Sequence, residues 1–503
     1  MIPRLLFLLP ALLLLCSANA LPQAVPATPQ WRELHVRALE LSNQGRLHEA
    51  AETARKARKL AEADQGKDSE AYMAIALREA GIRADLGQLD AASALLEEVR
   101  NILGDPQGRP LISARLALAA YDLERKRGNF HAALAHARHA LSVYQSREEV
   151  PYYLLAETRN RIALALEKLG RYDEARRQYE QAIAIAREHD DLAAQRLLHH
   201  NLGTLFYDQG LLDRAEQYYT EAVALARAGV NATGQDTSDS YANLARVLLD
   251  QGRGREALPL LDEALALVSR NGILNTPRGL RVLSHLCFTL NDLGRHHQAT
   301  TYCRKAATVA RPLGPKPQVE PLLYLASAYA SLGQHLRAQR IFKRALKLAK
   351  QAGDPDTLAH AHYTIGLAQV RARQFQTARQ HLQQALDTLP ANARPTTRAT
   401  VLGTLGQALL HDGQPRKAAE LLQQALDIEA RFIPGSSSYL DTLFILAEAH
   451  HALGHKNEAR RLYQQALTLA RRLGKQPTLA AARDNLRRLD NGQPPRLVRK
   501  TGQ

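Results

Sequence analysis

Glu448, His450, His451 and His455 stand close together near the end of the chain, and Glu448 and His451 fall one helical turn apart. A carboxylate and an imidazole at that spacing can share a cation. His136 with His139, His199 with His200, and His296 with His297 form three further close pairs. Asp208, Asp250 and Asp292 recur at a constant interval, a ladder of carboxylates that could draw a basic segment or a cation. The sequence has no G-x-S-x-G, no H-E-x-x-H, no phosphate-binding loop and no C-x-x-C. The histidines therefore read as exposed or helix-end residues of a basic chain, and the aspartates as solvated carboxylates pairing locally with Arg. No catalytic residue, metal site or cofactor is expected, and the protein is not read as an enzyme.

What positions these residues is a repeat. A turn glycine recurs at near-constant steps, at Gly45, Gly87, Gly128, Gly170, Gly210, Gly252, Gly294, Gly333, Gly413 and Gly454. Arg373 fills the slot between Gly333 and Gly413. Five residues after each anchor stands Ala: Ala50, Ala92, Ala133, Ala175, Ala215, Ala257, Ala299, Ala338, Ala378, Ala418 and Ala459. Seven residues further on, Ala returns in every unit except the second, which has Val99. Eight and seven residues before the anchor comes an apolar-small pair, as in Leu244-Ala245, Leu286-Cys287 and Leu405-Gly406. In the first three units Arg37, Glu79 and Ala120 occupy the Leu slot.

This spacing predicts helical hairpins. A helix with apolar residues at i, i+3 and i+4 stops at a glycine that can turn left-handed. A second helix then returns with its Ala against the small residue of the first, so the two axes approach closely. A Leu at Ala257 is expected to overpack this contact. Cys287 takes the small position before a turn, and Cys303 lies on the following helix. Both are expected as small core residues and not as a disulfide.

The ends differ from the middle. "MIPRLLFLLPALLLLCSANA" carries a basic Arg4, an apolar run and the small-x-small ending Ala18-Asn19-Ala20, the pattern of a secretory signal over residues 1–20. A lipoprotein signal through Cys16 is disfavoured because Leu15, not a small residue, precedes it. The expected order is a leader (1–20), a linker (21–30), a repeat array (31–475), a capping helix (476–490) and a disordered basic tail (491–503). No later stretch is long and apolar enough to span a membrane. The expected location is periplasmic or secreted. The net charge of +16 comes mainly from Arg interleaved with 50 acidic residues, without a block of five consecutive cations. Few aromatics are available to stack bases, so nucleic acid is not the expected partner.

The Gly, Ala and Leu-small grammar resembles the tetratricopeptide repeat over residues 31 to 472. Its period is longer than that family's usual one and is similar to the kinesin-light-chain subtype. The resemblance implies an all-α fold, a right-handed α-solenoid superhelix of about eleven hairpins closed by a capping helix. It also implies a concave groove lined by the first helix of each hairpin. Transferred to this sequence, the groove-facing positions are Asn160, Arg161, Leu164, His200, Asn201, Tyr207, Asp208, Asn243, Arg246, Asp250, Phe288, Asn291 and Asp292. Asn201 and Asn243 occupy one slot in adjacent hairpins, where an amide can hold the backbone of an extended peptide; the next such slot holds His285. The full Lys and Asn set of a carboxylate clamp is absent.

The function expected is a non-enzymatic scaffold of the cell envelope that binds a protein or peptide segment in this groove. The alternatives are a sensor or regulatory protein of a signalling system, and a binder of anionic envelope polymers.

Overall fold

The structure, a computed structural model, describes residues 29–43, 45–228, 235–391 and 393–497. The expected leader with Cys16, most of the linker and the last residues of the tail lie outside the described residues. The chain forms two compact units that divide between Glu148 and Glu149. Among the described residues both are built of helices alone, paired as hairpins except for the last.

The first unit holds three hairpins: α1 (Gln30–Asn43) with α2 (Leu47–Gln65), α3 (Glu70–Asp85) with α4 (Leu89–Leu103), and α5 (Pro110–Lys126) with α6 (Phe130–Gln145). The second unit opens with α7 (Tyr152–Lys168), α8 (Tyr172–Glu188), α9 (Leu192–Asp208) and α10 (Leu212–Ala228). It continues with α11 (Gln235–Asp250), α12 (Gly254–Arg270), α13 (Pro277–Asp292) and α14 (His296–Ala310). Next come α15 (Pro315–Ser331), α16 (His335–Ala352), α17 (Pro355–Arg371) and α18 (Phe375–Thr388). The unit closes with α19 (Pro395–His411), α20 (Pro415–Phe432), α21 (Ser437–Ala452), α22 (Lys456–Arg472) and the capping helix α23 (Gln476–Asp490). Beyond it the chain returns along α23, where Arg496 N donates to Asn485 Oδ1 at 2.7 Å. Six helices start at a proline, whose fixed φ suits the first helical position and whose missing N–H costs nothing there.

The repeat register holds through all eleven hairpins. The ten anchor glycines sit at φ between 72° and 78°, and Arg373 takes the same left-handed conformation at φ 61°. At Gly252 the turn closes with Arg253 N donating to Leu248 O at 2.7 Å and Gly252 N to Leu249 O at 2.9 Å, the double closure that satisfies a helix's last carbonyls. Every Ala five residues after an anchor is at most 2 % exposed, and the Ala or Val seven residues later is fully buried in all eleven hairpins. The close approach is visible at Gly406 on α19, where an added Cβ would lie 2.6 Å from Leu422 Cγ on α20.

The expectation for the cysteines is corrected. Cys287 on α13 and Cys303 on α14 form a disulfide, with their Cα atoms 5.1 Å apart. The physical reason is the small-against-small contact itself: axes close enough for Ala and Gly bring two facing Cβ atoms within disulfide reach.

In the second unit the first helices of successive hairpins from α7 to α21 pack on one another, and the second helices pack against first helices. The first helices therefore form the inner row and the second helices the outer row.

Candidate ligand-binding groove

The inner row brings one face of each first helix to a common surface. Asn201 Nδ2 on α9 donates to Asn160 Oδ1 on α7 at 2.9 Å. Asn243 Nδ2 on α11 lies 3.5 Å from His200 Nε2 and 3.3 Å from the Tyr219 hydroxyl. His200 Nδ1 in turn lies 3.1 Å from Ser240 Oγ. Each side-chain amide can make up to four hydrogen bonds, so these rungs join neighbouring hairpins and still leave capacity for a guest.

A second cluster lies nearer the turns. Tyr207 Oη donates to Asp250 Oδ2 at 2.7 Å and accepts from Arg246 Nε at 2.8 Å. Arg394, just before α19, lays its guanidinium 4.5 Å from the centre of the Tyr207 ring. It is not alone in reaching across. A Cβ added at Gly210 would meet Phe432 and Thr396 at 3.5 Å, and one at Gly252 would meet Ser437 at 2.9 Å. The second unit thus bends until the turns of its α9–α10 and α11–α12 hairpins touch the start of α19, the end of α20 and the start of α21. Gly252 is required there twice over, for its positive φ and for the Ser437 contact.

Deeper in, Glu320 and Tyr324 on α15, His285 on α13 and His360 on α17 gather around Arg246. Glu320 Oε1 accepts from Tyr324 Oη at 3.0 Å. Burial pushes the Glu320 carboxyl up, but His360, His285 and Arg246 outweigh burial and hold it below its ordinary range. Arg246 is held firmly charged, first by Tyr207 and then by Asp250 and Glu320 against the cost of burial. Burial, with Arg246 adding to it, lowers the His285 imidazole to about 3, and burial lowers His360 as well. His285 is 5 % exposed, and its Nδ1 has no hydrogen-bond partner; His360 Nε2 has none either. Both unpartnered nitrogens are buried from solvent, which is unusual because buried polar atoms are nearly always satisfied.

The residues transferred by resemblance separate accordingly. Asn160, His200, Asn201 and Asn243 form the amide ladder, and Tyr207, Arg246 and Asp250 form the charged cluster. Phe288 packs 5.2 Å from the Tyr324 ring, and Asn291 Nδ2 donates to Tyr324 O at 2.9 Å. Arg161 is engaged on its own helix with Glu157 at 2.5 Å, and Leu164 is half-buried. The aspartate ladder does not act as one: Asp250 joins Tyr207, Asp208 is exposed, and Asp292 sits beside the start of α12 at Gly254. Glu320, Tyr324, His360 and Arg394 were not anticipated. Glu320 and Tyr324 were reachable by carrying the ladder one hairpin past His285, whereas Arg394 depends on the bend and leaves no local signal.

The histidine groups have structural partners. Glu448 accepts from Asn485 Nδ2 of the capping helix at 3.2 Å, and His451 Nε2 lies 2.8 Å from Gln493 O. His199 bonds Gln195 O at 2.7 Å and lies 2.8 Å from Glu221, and His139 lies 3.4 Å from Ser113 Oγ. Among the described residues no three His, Cys, Asp or Glu side chains are grouped to hold a metal ion, and no helix is long and apolar enough to cross a membrane.

Residues 112–279 match the family profile of the MalT-like TPR region, and residues 318–391 and 397–472 match that of the tetratricopeptide repeat. The chain is 27 % identical to the Regulatory protein AfsR of Streptomyces griseus over 282 residues, which are 50 % of this chain and 28 % of that protein. The chain thus matches little more than a quarter of the length of that curated relative. Among solved structures it is similar to a Rap protein complexed with Competence and Sporulation Factor, with a TM-score of 0.51 at 15 % identity over 72 % of this chain and 98 % of the other. It is also similar to the apo form of RapI, with a TM-score of 0.56 at 13 % identity over 72 % of this chain and 99 % of the other. These two likenesses establish the architecture. The profile matches fall on hairpins whose turn, alanine frame and close axis approach have just been described, and the chain belongs to the tetratricopeptide-repeat family.

Proposed function

We propose that this protein is a non-enzymatic scaffold whose second unit holds an extended polypeptide segment in the groove between Asn160 and His360. The observation that carries this reading is the pair of half-buried amides, Asn201 and Asn243, set in one slot of adjacent hairpins with hydrogen-bonding capacity to spare. An extended backbone presents N–H and C=O groups at a regular rise. Side-chain amides that both donate and accept match such a guest. The Rap structure complexed with Competence and Sporulation Factor supports the same reading. The partial identity to the Regulatory protein AfsR supports a regulatory use of that binding as a second reading.

We place the protein in the periplasm or outside the cell. The leader over residues 1–20 supports this, and so does the Cys287–Cys303 disulfide, since disulfides persist in oxidising compartments. Deleting residues 1–20 is expected to retain the protein in the cytoplasm; export of the truncated chain would end this reading.

The groove is tested by selecting random twelve-residue peptides displayed on phage against residues 21–503. The best peptide is expected to bind the Asn201→Ala, Asn243→Ala double variant at least tenfold more weakly, with the melting temperature retained. Equal affinity for both proteins would refute binding along the amide ladder.

A further inference from the structure

The charge of this protein is not spread evenly. Residues 295–388 contain fourteen Lys and Arg against four Asp and Glu, a net +10 of the chain's +16. The helix α16 in the outer row is the centre of this excess. It carries Arg337, Arg340, Lys343, Arg344, Lys347 and Lys350, all exposed, and contains no acidic residue. The outer helices α8, α10 and α12 each carry one more acid than base.

The pattern on α16 is sharply two-faced. Ala338, Phe342, Ala345 and Ala349 are buried against the inner row, at most 9 % exposed. Opposite them Leu336, Arg340, Lys343, Lys347 and Lys350 follow one another at steps of three and four, so they form a single outward stripe. No carboxylate lies in ion-pair reach of the six cations among the described residues; nearby Asp354 is taken by Lys316 at 3.0 Å. Arg337 lies over the Tyr329 ring at 4.3 Å. Leu336 begins the stripe at 74 % exposure, a large apolar side chain held in water beside the stripe's four long cationic arms. On the neighbouring outer helix α14, Arg304 and Lys305 extend the positive surface, again without an acid.

We infer that the outer face centred on α16 docks on an anionic phospholipid surface. The eighteen-residue helix offers a straight edge of about 27 Å, and clusters of four to eight Lys and Arg on an amphipathic helix attract acidic headgroups. Leu336 supplies the apolar tip that enters the headgroup layer, while the Lys and Arg stems lie along it with their charges outward. Nucleic acid would use the same charge but is matched less well. The outward stripe has no aromatic side chain on which a base could stack. Docking of this kind leaves the inner groove open, so the inference is independent of what the groove binds.

The test is co-sedimentation of residues 21–503 with vesicles of phosphatidylcholine alone or of phosphatidylcholine mixed with phosphatidylglycerol. Wild type is expected to pellet with the anionic vesicles only, and to be released by raising the salt to about 0.5 M. Lys343→Glu, Lys347→Glu should lower the partition at least tenfold. Arg187→Glu, Arg270→Glu, an equal change of charge on α8 and α12, should lower it less than threefold. Leu336→Ser should cost two- to fivefold. Failure of wild type to bind anionic vesicles, or equal losses in the two double variants, would overturn the inference. So would binding of a fluorescent DNA duplex by wild type, lost in the Lys343, Lys347 variant, with no vesicle binding.

Discussion

The second and seventh hairpins place opposite chemistries in the same slot, eight residues before the turn. In the seventh that slot holds Leu286, fully buried on α13. In the second it holds Glu79, 1 % exposed on α3, with Arg58 of α2 and Arg83 each 2.8 Å away. Arg58 also donates to the Tyr72 hydroxyl at 2.9 Å, and that hydroxyl donates to Glu98 at 2.6 Å. Gly87 and Gly294 hold the same left-handed turn, and the small residues around both slots, Ala80 with Ala92 and Cys287 with Ala299, are at most 2 % exposed. The turn and the small residues therefore set the distance between the axes, and the slot tolerates any group whose demands are met locally. An apolar side chain meets them by contact; a carboxylate meets them only when two guanidiniums arrive with it.

The strongest way to break this comparison is to remove the carboxylate. Glu79→Ala removes the carboxylate 2.8 Å from both Arg58 and Arg83, leaves Arg58 only the more distant Glu98 at 3.9 Å, and is expected to cost about 3–5 kcal/mol. The double replacement Glu79→Leu, Arg58→Met should recover most of it, because apolar groups of similar volume often replace a buried ion pair without loss. Urea unfolding of both variants decides the matter. A loss of less than about 1 kcal/mol for Glu79→Ala would mean the network contributes little.

The apolar hairpin should be the more sensitive to acid, through His285 beside Leu286. Its imidazole has a folded pKa of about 3, below the ordinary value of 6.5. The unfolded chain therefore takes up the proton first as pH falls. The stability tied to this residue is complete above pH 6.5 and is lost between 6.5 and 3, at about 1.4 kcal/mol per pH unit. Unfolding of His285→Gln across that range should show a shallower loss than wild type. Parallel curves would show that His285 gains its proton without unfolding cost.

Ala257→Leu tests, in the sixth hairpin, the frame that these two share with every other, and is expected to destabilise by about 1–3 kcal/mol through overpacking. An unchanged melting temperature would mean that the residue five after the turn does not set the axis distance. The smallest effect belongs to Arg373, the one anchor that is not glycine. It holds φ 61°, a conformation that costs a side-chain-bearing residue about 1–2 kcal/mol. Arg373→Gly should raise the stability by about 1 kcal/mol, and a loss instead would reveal a tertiary role for the Arg side chain.

The frame was legible in the sequence because a glycine, two alanines and their spacing are local demands of one hairpin. Arg373 could even be assigned its turn from the alanines that follow it. The capping helix was legible too, since Leu479, Ala482 and Leu489 repeat the apolar spacing that buries one face. Arg37, Glu79 and Ala120 obscured the first unit because an ionic core has no apolar signature. The groove was half legible. Slots read from the turn picked out the amides and both Tyr207 and Arg246, though not the pairing of the last two; Glu320 needed the ladder carried one hairpin past His285, and His360 needed it carried on through a turn without glycine. Arg394 and the Ser437 contact at Gly252 depend on the accumulated bend of six hairpins, which no single stretch of sequence encodes. The disulfide was missed for a related reason: the closeness of two cysteines followed from the hairpin, but its distance was not resolved by spacing alone.

The most direct test of the groove is to place the photo-reactive amino acid benzoylphenylalanine at Phe288, inside it, and separately at Leu336, on the outer face. Each protein is irradiated with the best peptide from the phage selection. A covalent adduct at 288 and none at 336 is the result expected of an inner groove that holds an extended segment. An adduct at 336 with none at 288 would contradict it and move peptide binding to the outer row.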